Sequence, residues 1–124
     1  MQSYLLSVIF VVLCSAETVL AGTADTTACT KTTQALDQAT TLLTAFAKTQ
    51  KRDSARIDSL VSITRRAHDD ALACKAHLTA MMVLATSESA RKLLAADNVL
   101  MFRMTVRDTR LFLDEAKRYW ENRQ

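Results

Sequence analysis

His68-Asp69-Asp70, Cys74 and His77 are the residues of this sequence whose types best suit chemistry. Asp70, Cys74 and His77 stand at i, i+4 and i+7, a spacing that puts a carboxylate, a thiolate and an imidazole on one helix face where they could converge on an ion. A disulfide would consume the Cys74 thiolate, so no metal site is expected. Met81, Met82, Met101 and Met104, with His77, would suit Cu(I), which favours thioether ligands. Methionine more often fills irregular gaps in a core, and that is the reading adopted for these residues. For covalent catalysis there is no G-x-S-x-G, no H-E-x-x-H and no glycine-rich phosphate loop. His68 has a carboxylate beside it, but adjacent residues on a helix do not face each other. Neither catalytic residues nor a cofactor are expected, and the chain is read as a non-enzyme.

The segment with most to offer is the C-terminal one. At about 100° per residue, Val99, Phe102, Val106, Leu113, Ala116 and Trp120 form one apolar stripe. Arg103, Arg107, Arg110 and Lys117 make a basic line beside it, with Asp114 and Glu121 in the same row. Beyond that line lies more apolar surface: Leu100, Met101, Met104, Leu111, Phe112 and Tyr119. An arginine row with apolar flanks on both sides is the pattern of a binding surface, because arginine and aromatic side chains dominate interface hot spots. Arg103, Arg107, Arg110, Leu111, Phe112 and Tyr119 are therefore the expected partner-binding residues. The competing expectation buries both apolar faces inside the bundle.

These side chains need helices to position them. The chain of 124 residues has no proline and one glycine, Gly22. A β-rich fold of that length needs many turns built on those two residues, whereas a helical one needs few. Helix A is expected from Thr26 to Gln50, with Cys29, Thr33, Leu36, Ala39, Leu43 and Phe46 along its seam. Its many threonines are mediocre helix formers. They point to a marginal helix held by its neighbours, or to an O-glycosylated, loosely ordered segment. Helix B is expected to start after a cap at Asp53 or Ser54 and run to Ala85. Its seam is Ile57, Leu60, Thr64, Ala67, Ala71, Cys74, Leu78, Met81 and Ala85. Thr86-Ser87-Glu88-Ser89 then reads as a break, and helix C runs to about Asn122, with Asp97-Asn98 as a point of interruption. The expected fold is all-α: a three-helix antiparallel bundle, an A/B hairpin plus a long C-terminal helix, with one disulfide.

The bond follows from the hairpin. If A and B fold back near residues 51 and 52, the numbers of facing residues add up to about 103, as those of Cys29 and Cys74 do. Both cysteines also fall on the seams, so height and face agree.

The remaining cysteine, Cys14, lies in a segment that reads as a secretory signal (1–21), ahead of a single helical domain over 22–124. Leu5 to Leu13 is an apolar core short for a membrane span. Small-residue cleavage sites end at Ala16 and Ala21, the second preferred. There is no Lys or Arg before Lys31, so no basic side chain supports the signal. Removing 1–21 takes away Glu17 and no base, which raises the net charge from +3 to +4. That mild charge does not point to nucleic acid. An even pair of cysteines suits an oxidising compartment, secreted or periplasmic.

The function expected from these features is an exported, non-enzymatic helical binding protein. A periplasmic inhibitor, a chaperone-like binder and a secreted effector all fit, with a protein partner or a second copy docking on helix C. The alternatives are a carrier of a small apolar or lipid ligand, with Thr64, Ala67 and Ala71 leaving room for it, and a membrane-anchored structural protein that retains its N-terminus.

Overall fold

The computed structural model describes residues 26–49 and 52–123; the expected signal segment, its cleavage sites and Gly22 lie outside them. Helices α1 (Thr26–Thr49), α2 (Ser54–Ala73), α3 (His77–Lys92) and α4 (Val99–Glu121) account for most of that length, with a 3₁₀ turn over Leu93–Ala95. Among the described residues the protein is all-helical, as expected, but with four helices rather than three.

Contacts at the two ends give the direction of each helix. Cys29 near the start of α1 is bonded to Cys74 at the end of α2, with Cα atoms 5.1 Å apart. At the other end Arg52, in the α1–α2 connection, donates from Nη1 to the carbonyls of Leu94 (3.2 Å) and Ala96 (2.9 Å), in the α3–α4 connection. Trp120 Nε1 near the end of α4 donates to Thr33 Oγ1 near the start of α1 at 3.2 Å. The helices therefore run up, down, up, down. Each packs on the next and α4 returns to α1, while α1 and α3, and α2 and α4, lie across the diagonal. The α1–α4 seam is the slightest of the four.

The expected helix B is two helices. Its seam holds from Ile57 through Ala71 to Cys74, all buried. The chain then turns through Lys75, whose φ is 63°. Lys75 N–H donates to the carbonyl of Leu72 at 3.0 Å and Ala76 N–H to that of Ala71 at 2.8 Å. This pair of bonds is a Schellman cap, which normally puts glycine in the left-handed position. Here lysine occupies it, so nothing in the residue types announces the stop. The turn resets the helical phase, and Leu78 and Met81 are exposed (56% and 65%), not on the seam. Thr79, Ala80, Val83, Thr86, Ser87 and Ala90 face the core instead. A left-handed lysine is strained by its Cβ, and a β-branched residue more so. Lys75→Gly is therefore expected to keep or raise the thermal midpoint, and Lys75→Val to cost about 1–2 kcal/mol in chemical denaturation.

Thr86-Ser87-Glu88-Ser89, expected as a break, lies inside α3 with all but Glu88 buried. Two of its three hydroxyls find partners. Thr86 Oγ1 donates to the Met82 carbonyl at 2.7 Å, and Ser89 Oγ and Thr109 Oγ1 lie 2.7 Å apart across the α3–α4 seam. Thr79 Oγ1 is buried with no partner. The carbonyl four residues before it, to which a helical threonine back-bonds, belongs to Lys75 in the left-handed turn. Ser87 Oγ is also buried without a partner, and nothing in the packing explains it. Asp97-Asn98 is the true start signal of the last helix: Asn98 Oδ1 caps α4 by accepting from Met101 N–H at 2.8 Å.

Helix α1 has a buried face of Ala28, Thr32, Leu36, Ala39, Leu43 and Phe46. Thr32 takes the place expected for Thr33, and Cys29 is half-buried beside it. The threonines hold their place by back-bonding. Thr30, Thr32, Thr33, Thr40, Thr41, Thr44 and Thr49 each donate to the carbonyl four residues earlier. This satisfies each hydroxyl within the helix at a small cost in helix stability. No helix among the described residues is long and apolar enough to cross a membrane.

Candidate functional site

Where α1 and α4 make their slight seam, a groove of about 430 Å³ opens to solvent. Its floor is Phe46 and Ala47 from the last turns of α1, with Phe102 and Val106 from the first turns of α4. Phe46 and Phe102 meet edge to face, ring centres 6.3 Å apart and planes at 80°. The outer wall of the groove belongs to α4: Arg103, Arg107, Arg110, Leu111 and Asp114.

The electrostatics of this wall are one-sided. Among the described residues the side chains of Arg103 and Arg107 make no ion pair or hydrogen bond, and Arg110 only reaches Thr44 Oγ1 at 3.5 Å. The arginine that does find an acid on α4 is Arg118, paired with Glu115 a turn earlier. Asp114 is the single carboxylate lining the groove, and it lies beyond hydrogen-bond reach of the three arginines. Guanidinium groups are weakly hydrated and present a planar fork of donors, so unpaired ones above an apolar floor are suited to a carboxylate or phosphate.

Of the six residues expected to bind a partner, the structure brings Arg103, Arg107, Arg110 and Leu111 together in this groove. Phe112 and Tyr119 are not part of it. They lie about 100° and 80° further round α4 than Leu111, away from the arginines. Phe112 is 37% exposed, and Tyr119 lines a separate hollow with Lys75, His77, Leu78 and Arg123. The apolar flank expected beyond the arginine row is exposed at Leu100, Met101, Met104 and Leu111. The core-facing stripe is buried at Phe102, Val106, Leu113, Ala116 and Trp120, whereas Val99, at the first turn, is exposed. Phe46 and Ala47 were missed as site residues. The signal for them was indirect: Phe46 closes the α1 seam at the end where α4 begins, so it had to meet Phe102.

The other constellations are not assembled into sites. Cys74 is in the disulfide, and the turn at Lys75 moves His77 onto a different helix from Asp70. His68 Nδ1 lies 3.2 Å from Asp69 Oδ1, on the surface. No group of three or more His, Cys, Asp or Glu residues is placed to hold a metal ion among the described residues. Met81, expected in the core, is exposed, as are Met101 and Met104, while Met82 packs against the core from its edge. Thr64, Ala67 and Ala71, which were to leave room for a small ligand, are closely packed, and Thr64 Oγ1 is satisfied by the Leu60 carbonyl at 2.8 Å.

No family model, curated protein or solved structure matches this chain. The groove and its arginines are therefore the ground for a function.

Proposed function

We propose that this is a non-enzymatic binding protein of an oxidising, extracytoplasmic compartment, and that the α1–α4 groove is where it holds its partner. The observation that carries this reading is the row of three exposed arginines without acidic partners above an apolar floor. Elsewhere on the surface Arg56, Arg91 and Arg118 each have an acid three residues away. Arg65 and Arg66 on α2 also make no ion pair among the described residues, but Arg66 lines a hollow together with Asp69 and Asp70. Leaving three cations unneutralised on one wall raises the local potential and invites an anion, and the apolar floor beneath adds the burial that gives affinity. The disulfide fits a compartment that keeps thiols oxidised. The same groove would admit the head and chain of a small amphiphile, and this is the second reading that its apolar floor favours.

The test is the native mass of the protein isolated from the cells that make it, beside Arg107→Glu. Arg107 is exposed and unpaired, so its reversal leaves the fold intact, which far-UV circular dichroism checks. The wild type is expected to carry a partner or ligand that the variant loses. Identical mass and bound content for the two proteins would overturn the assignment of the groove.

A further inference from the structure

Resting on that reading, we infer that the natural occupant of the α1–α4 groove is an acidic amphipathic helix of another protein. The spacing of the charges points to it. Arg103, Arg107 and Arg110 stand at i, i+4 and i+7, a row that climbs about 10 Å along α4. A single carboxylate head can engage one or two of these forks and leaves the others facing nothing. A helix laid alongside α4 presents side chains at the same i, i+4, i+7 rise, so three acids on one face meet three arginines in register. Beside them its apolar stripe meets Leu111 and Ala47, the exposed apolar side chains that line the groove.

The shape agrees. The groove opens to solvent, as a helical occupant lying across it requires. The mild net charge of +3 argues against a nucleic acid, the other polyanion with regularly spaced charges.

The probe is a synthetic helical peptide with leucines on one stripe and Glu at i, i+4 and i+7 beside it. A second peptide with Lys at those three positions is the comparison. Binding is measured by fluorescence anisotropy against the wild-type protein and the Arg107→Glu/Arg110→Glu variant. The acidic peptide is expected to bind the wild type, to lose about tenfold or more in affinity on the variant, and to weaken further as salt rises. The Lys peptide is expected to reverse that preference, a swap that general loss of structure in the variant would not produce. Equal affinity of both peptides for both proteins would overturn the inference. So would self-association of the wild type that the double variant abolishes, because a second copy would then be the occupant. Sodium laurate separates this inference from the wider reading. If laurate binds in an arginine-dependent way and neither peptide does, the groove remains a binding site and the helical occupant is wrong.

Discussion

With Cys29 and Cys74 both replaced by serine, the protein is expected to lose about 4 kcal/mol of stability, the chain-entropy value for a loop of this length. Domains of this size are stable by only about 5–15 kcal/mol, so the loss is a large share of the total. The core has little with which to offset it. Its buried set is rich in alanine, and Thr32, Thr64, Thr79, Thr86, Ser87, Ser89 and Thr109 are buried with it. The bond also acts where the fold is least conventional, tying the start of α1 to the residue that caps α2 just before the left-handed Lys75. The thermal midpoint should fall by about 20 °C relative to the oxidised protein. A fall of only a few degrees would mean that α1 is held by packing alone.

Phe46→Ala should be nearly as damaging. Phe46 is 1% exposed and is among the largest fully buried side chains. Its removal takes away the edge-to-face contact with Phe102 and leaves a cavity, for an expected loss of about 3–5 kcal/mol. Because α1 and α4 touch least of the neighbouring pairs, few other residues share that load. Phe46→Leu keeps most of the apolar volume and should cost about 1.5 kcal/mol or less. Urea denaturation of the two variants checks this. A loss below about 1 kcal/mol for the alanine variant would show that the α1–α4 seam does not contribute to global stability.

Much of this architecture was legible in residue types and spacing. The hairpin of α1 and α2, a cap at Asp53 or Ser54 and the partnership of Cys29 with Cys74 all followed from apolar periodicity and from where it broke. Asp53 Oδ1 does accept from Arg56 N–H, at 3.2 Å. What was not legible was the split of helix B. A Schellman cap is a backbone arrangement, and with lysine where glycine is usual it left no mark while the apolar spacing ran on through Leu78 and Met81. The same blind spot made Thr86-Ser87-Glu88-Ser89 look like a loop. A serine or threonine is polar on paper, yet it can be buried once its hydroxyl reaches a carbonyl or another hydroxyl, and which one it reaches depends on the fold.

The site was legible in halves. The arginine row and Leu111 could be read from α4 alone, because one helix carries them all. Phe112 and Tyr119 were grouped with them because both flanks of the row are apolar, and only the neighbours decide which flank borders a groove. The floor at Phe46 and Ala47 comes from a helix some 55 residues earlier in the chain, and sequence spacing carries no direct record of that approach.

The most direct test of the groove as the working surface is site-resolved photo-crosslinking in the cells that make the protein. A photoreactive residue at Leu111, on the groove wall, is compared with one at Ser62, exposed on α2 away from it. A discrete crosslinked species from position 111, absent from position 62 and lost when Arg107→Glu is added, is the result the account requires. Equal crosslinking from both positions, or a species that persists with Arg107→Glu, would contradict it.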